Sequence, residues 1–171
     1  GKTLTYGGSS FSLGVNSLNV VGTGTLSNTN ALVMVDPSSV LTLHGNISGP
    51  VSLNAGKINV AESLTMSSDL TLGGSATIEV AQDKILTYGG ASLSLGANTL
   101  TISGSGTFSN TNPVVLGEGS SVLQLFGTNT VSGPVLLNAG VIDVDESSTL
   151  SSDLTLGGSA TIDEAQEKPQ P

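Results

Sequence analysis

Apolar and small polar residues alternate along most of this chain. Leu70-Thr71-Leu72, Ala76-Thr77-Ile78-Glu79-Val80, Leu93-Ser94-Leu95, Leu123-Gln124-Leu125 and Val141-Ile142-Asp143-Val144 carry the pattern. A period of two over three to six residues predicts half-buried strands, and no stretch shows the 3.6-residue period of a helix. Each run closes on turn formers, among them Asp36-Pro37, Gly73-Gly74, Ser103-Gly104 and Asn138-Ala139-Gly140.

The pattern repeats at long range. Lys2-Thr3-Leu4-Thr5-Tyr6-Gly7-Gly8 returns as Lys84-Ile85-Leu86-Thr87-Tyr88-Gly89-Gly90, an offset of 82. After a two-residue insertion near Thr128 the offset becomes 84, as when Ser48-Gly49-Pro50-Val51 returns as Ser132-Gly133-Pro134-Val135. Residues 2–45 match 84–127 at 26 of 44 positions, and 48–83 match 132–167 at 27 of 36. In a sandwich each strand has its own neighbours, so two near-identical copies have no reason to occupy equivalent places. In a solenoid each coil touches only the coils beside it, and duplication simply extends the core. The chain therefore reads as all-β: a parallel β-helix, or β-solenoid, over 1–168, built of copies 2–83 and 84–167 and followed by a Pro-containing tail at 169–171. Apolar strand openings at Leu4, Leu18, Leu32, Val51, Leu70 and Leu86 are separated by 14, 14, 19, 19 and 16 residues. Those steps predict five coils per copy, about ten in all, and a rod of roughly 50 Å at the inter-strand spacing of a sheet.

The run Leu95-Gly96-Ala97-Asn98-Thr99-Leu100-Thr101-Ile102-Ser103-Gly104-Ser105-Gly106-Thr107-Phe108-Ser109-Asn110 resembles the coils of bacterial autotransporter passenger domains and filamentous-haemagglutinin-like adhesins. The likeness is one of texture and extends over nearly the whole chain. It implies a right-handed β-helix, exported to the cell surface or extracellular space and used as a stalk or adhesive rod with glycan or host-surface ligands. No catalytic motif of such passengers is matched by a residue here.

Composition narrows the function classes. Four lysines, no arginine and 13 acidic residues give a net charge of −9, so no basic patch exists to neutralise phosphates. Nucleic acid is not an expected partner, and docking to anionic lipid is disfavoured. No apolar run approaches the roughly 20 residues of a membrane span, so membrane insertion is not expected. The absence of cysteine removes thiol catalysis, disulfides and Cys-ligated metals. Gly1 in place of an initiator Met marks a processed product or an excerpt.

Candidate chemistry is sparse. Lyases and hydrolases of polysaccharides need clustered carboxylates and often a cation to meet developing negative charge, and the four lysines are scattered. The acids gather in the second copy: Asp143, Asp145, Glu146 and Asp163 offer hard oxygen ligands for calcium on adjacent coils. The competing reading is a solvated, self-repelling end of the rod, and no calcium-loop spacing is present. His44 is the sole imidazole, and Phe126 stands at its place in the second copy, which favours packing over acid–base work. Gly7-Gly8, Gly73-Gly74, Gly89-Gly90 and Gly157-Gly158 read as corners, because a phosphate loop needs a following Lys and helix. Thr5, Thr71, Thr87, Thr101 and Thr155 each sit in a Leu-Thr-apolar run. An ice-binding face would want paired outward threonines at constant coil length, so strand propensity accounts for them more simply. Asn46-Ile47-Ser48 matches a glycosylation sequon that the second copy lacks.

The two ends differ. Lys168-Pro169 stands where the copy junction has Lys84-Ile85, and proline cannot donate to a further ladder. Lys2, Thr3, Leu4, Thr5 and Tyr6 look like the middle of an array and carry no cap, which makes them a candidate interface for end-to-end self-association, an open contact that builds filaments. The sequence thus predicts a structural, non-enzymatic rod without a cofactor, the alternative being a module that binds glycan, calcium or ice through one face.

Overall fold

The computed structural model describes residues 1–164; the predicted tail at 169–171 and the last residues of the second copy lie outside that range. All regular structure within it is strand, so none of it is a helix long and apolar enough to cross a membrane. The strands come in threes, and every ladder is parallel. Each set of three makes one coil of a β-solenoid with three faces.

The first face is one eight-stranded sheet of Thr3–Tyr6, Thr25–Asn28, Asn46–Ser48, Leu64–Met66, Ile85–Tyr88, Thr107–Asn110, Thr130–Ser132 and Thr149–Leu150. The third face is another, running from Ser17–Val20 through Val40–Leu43, Lys57–Val60, Ala76–Val80, Thr99–Gly104, Val122–Phe126 and Val141–Val144 to Thr161–Glu164. The second face is divided into two four-stranded sheets. One holds Phe11–Ser12, Leu32–Met34, Val51–Leu53 and Leu70–Leu72; the other holds Leu93–Ser94, Val114–Leu116, Val135–Leu137 and Leu154–Leu156.

The coil count is eight, which corrects the expected ten. Register partners such as Leu4 and Leu26, Leu64 and Leu86, and Phe108 and Val131 lie 19 to 23 residues apart along the stack. The 14-residue steps read from the sequence hop from one face to another. Leu4 is on the first face, Leu18 on the third and Leu32 on the second, so each of those steps is two thirds of a coil. Only the steps from Leu32 to Val51 and from Val51 to Leu70 stay on one face. One copy is therefore four coils, and eight coils stack to about 38 Å.

Alternation becomes a core by column. On the third face Leu41, Ile58, Ile78, Ile102 and Leu125 follow one another in register and are fully buried. On the second, Leu32, Val51 and Leu70 do the same. Each such side chain contributes roughly 1.5 to 3 kcal/mol by leaving water. The residues between them face outward and are partly exposed.

Corners recur in both copies. Asn28 Nδ2 donates to the carbonyls of Asn30 and Pro50, and its counterpart Asn110 donates to Asn112 and Pro134, all within 3.0 Å. Buried Ser39 and Ser121 each donate a hydroxyl to a carbonyl of the preceding coil, at Gly14 and Gly96. Gly56 and Gly140 hold left-handed φ values of 83° and 84°, and a Cβ there would press on the carbonyls of Ser39 and Ser121. The insertion of the second copy is absorbed inside: Asn129 is buried and its amide donates to the carbonyls of Ile102 (3.1 Å) and Phe126 (3.2 Å).

At the copy junction the first and third faces run through unbroken, Leu64 on Leu86 and Ile78 on Ile102. The second face parts there. Side chains replace its backbone ladder: the Leu70 N–H donates to Tyr88 Oη (3.1 Å) and the Ala91 N–H to Asp69 Oδ1 (2.8 Å). Burial pushes the Tyr88 phenol above its ordinary value, and the Asp69 charge adds to this against the Leu70 hydrogen bond.

Candidate functional site

The acidic set is only partly gathered. Asp143 and Asp163 are register neighbours on the third face, above Gln124. The Gln124 amide donates to Asp143 Oδ2 (3.3 Å) and Asp145 Oδ2 (3.0 Å), while its Oε1 accepts from Thr101 Oγ1 (3.0 Å). The chain Thr101–Gln124–Asp143/Asp145 thus binds three coils by side chains. Glu146 turns aside into a groove with Phe126, Glu79, Gly104 and Gly127. Among the described residues no three Asp, Glu or His side chains converge to hold a metal ion. The arrangement can bridge coils and carry charge.

His44 lies in the equivalent groove of the first copy, with Gly22, Thr23 and Glu62. Lys84 Nζ reaches Glu62 Oε2 at 2.6 Å across the copy junction, and this hydrogen bond, with the Lys84 charge, holds the Glu62 carboxyl below its ordinary value. His44 adds a small pull in the same direction. A second pair, Lys57 Nζ to Glu79 Oε2 at 2.6 Å, joins neighbouring strands of the third face. Phe126, at the place of His44, is half exposed on the groove wall.

The candidate interface Lys2 to Tyr6 forms the outermost strand of the first face. Leu4 is the register partner of Leu26 and so stands in the core column, yet it is 70% exposed against 6% for Leu26. The Tyr6 ring lies 4.7 Å from that of Phe11, and its hydroxyl donates to the Ser10 carbonyl.

The five singled-out threonines do not line up. Thr5 and Thr87 are on the first face, Thr71 and Thr155 on the second, and Thr101 on the third. The structure brings other residues together. Every strand of the first face presents outward a pair with one inward residue between: Thr3-x-Thr5, Thr25-x-Ser27, Asn46-x-Ser48, Thr65-x-Ser67, Ile85-x-Thr87, Thr107-x-Ser109, Thr130-x-Ser132 and Thr149-x-Ser151. Register joins Thr3, Thr25, Asn46, Thr65, Thr87, Ser109 and Ser132 into one column through seven successive coils. The second member of the pair changes side at the copy junction, where Met66 pairs both with Ile47 and with Tyr88. No outward position of these strands carries a charge or an aromatic ring. The signal was present in the sequence: the tripeptide recurs at the first-face spacing of 19 to 23 residues, whereas the Leu-Thr-apolar runs fall on three different faces.

Comparison of the chain with protein-family models, curated proteins and solved structures finds no match.

Proposed function

We propose that this chain is a structural, non-enzymatic segment of a rod or stalk belonging to an exported surface or extracellular protein. The observation that carries the reading is the copy junction. Coil four meets coil five in unbroken register on the first and third faces, and only the second face exchanges its ladder for side-chain hydrogen bonds, so a whole copy is added with the register of two faces kept. A repeat that extends without changing is suited to setting a length. The acidic, arginine-free surface supports an extracellular role over a nucleic-acid one. A chain carrying a third copy tests the proposal. Solution scattering should show the longest dimension growing by about 19 Å, four strand spacings, at constant cross-section. Growth in all directions would refute it.

End-to-end stacking of separate chains is a second reading, favoured by one feature. Leu154, Leu156 and Ile162 of coil eight are the counterparts of Leu70, Leu72 and Ile78, which bury themselves against coil five. Coil one in turn repeats coil five, Leu4 and Leu18 standing for Leu86 and Leu100. A second chain would meet the surface that the first copy already offers the second. Light scattering at rising concentration, paired with electron microscopy, should give filaments of uniform width. Monodisperse short rods at all concentrations would exclude it and leave the single-rod reading intact.

A further inference from the structure

We propose that the first face binds ice, its outward hydroxyl pairs holding a layer of water in a repeat that the crystal continues. This goes beyond the rod reading and does not depend on it.

Three observations lead there. First, the outward residues fall on a two-dimensional grid: one column through seven coils, flanked by a second that changes side at the copy junction. Successive coils place equivalent side chains about 4.8 Å apart, and the two members of a pair on one strand are about 6.7 Å apart. Hexagonal ice repeats on similar scales in the two directions of its prism planes. The column through Thr25, Thr65, Thr87 and Ser109 keeps register through the copy junction.

Second, the hydroxyls are free. Among the described residues, none of the Thr or Ser side chains of these pairs hydrogen-bonds another protein group, whereas on the third face Thr101, Gln124, Lys57 and Glu79 are engaged with one another. A hydroxyl left to water offers one donor and two acceptor sites, and the methyl beside it in threonine leaves water to order itself laterally.

Third, the face excludes competing ligands. The chain carries 4 basic and 13 acidic side chains, yet none lies at an outward position of these eight strands. A cation or a phosphate therefore finds no counter-charge. No outward aromatic ring is present for the apolar side of a sugar to stack on. What remains is a neutral, regularly spaced array of donors and acceptors, which matches a lattice of water rather than a discrete molecule.

The test is ice affinity of the intact chain, fluorescently labelled at its N-terminal amine and exposed to a slowly growing single ice crystal. Thr65→Lys and Thr107→Lys each place a strongly hydrated ammonium in the lattice. Thr42→Lys and Thr161→Lys do the same on outward positions of the third face. Circular dichroism and melting check that all four fold. The wild type and the third-face variants should label the ice, and the first-face variants should lose that labelling while melting as the wild type does. Failure of folded wild type to enter ice overturns the proposal. So does equal loss in both sets of variants, or no loss in either. Retention on chitin or cellulose powder with none on ice would overturn it in favour of a crystalline polysaccharide.

Discussion

The first and third faces are built from the same eight coils and fold for the same reason, yet they present different chemistry to water. Inward, both are ladders of apolar side chains, the first with Met66, Tyr88 and Phe108 among its aliphatics, and Ile47 and Ile78 are almost wholly buried. Outward, the third face carries Lys57, Gln124, Asp143 and Asp163 in one register column and Glu79 in the next, while the first carries only hydroxyls, one amide and Ile85. A parallel solenoid fixes every second residue of a strand by packing and leaves the others unconstrained. The outward residues are therefore where two faces of one rod can differ, and the charged outward residues of the strands lie on the third face.

The largest expected effect would break the common part of that comparison. Ile47→Ala on the first face and Ile78→Ala on the third should each cost about 2 to 5 kcal/mol in urea unfolding, since both leave a cavity in a packed column. A cost below about 1 kcal/mol at either would mean that the faces do not share a core. Next come the corners. Gly56→Ala and Gly140→Ala should each cost about 1 to 3 kcal/mol, from the left-handed backbone and the pressure on the Ser39 and Ser121 carbonyls, and the two should agree because the copies agree.

Tyr88→Phe should cost about 1 to 2 kcal/mol by leaving the buried Leu70 N–H without its acceptor. It also sharpens the contrast between the divided second face and the continuous ones. The phenol is raised in the folded state, so it contributes stability that is present below its unfolded value near 10 and is lost as the pH climbs through the folded one. Melting temperatures of the wild type should fall more steeply than those of Tyr88→Phe above about pH 10. Parallel curves would place the ring's contribution in packing alone. The smallest effect belongs to the surface. Lys57→Ala should shift stability by less than about 1 kcal/mol, and the shift should shrink in high salt, because both partners are partly exposed.

Much of this was legible in the sequence. Period-two alternation in Leu70-Thr71-Leu72 or Ala76 to Val80 gave the strands, and the near-identical copies gave the solenoid, because only a stack accepts duplication without new packing. The coil count was not legible from apolar openings. Leu4, Leu18 and Leu32 look equivalent in sequence but stand on three different faces, and nothing in a leucine says which corner it follows. The threonine face was missed for a related reason. Its outward residues are separated by Leu, Ile, Met, Phe or Val, so the residue between them changes while the pair persists. Asn129, beside the insertion near Thr128, is buried and held by two carbonyls that a sequence does not display. The acids of the second copy are neighbours in the sequence but only partly gathered in the fold, and Gln124, which ties Asp143 to Asp145, gave no signal of its role.

The central claim is a three-faced stack with coils of 17 to 24 residues, and cross-linking by cysteine tests it most directly because the chain has no cysteine of its own. Thr87→Cys with Ser109→Cys puts two thiols on register partners of the first face, within the Cα separation of about 4.4 to 6.8 Å that a disulfide spans. Thr87→Cys with Thr101→Cys places them one 14-residue step apart, on different faces. The account predicts that mild oxidation closes the first pair and leaves the second reduced; closure of the second pair without the first would contradict it.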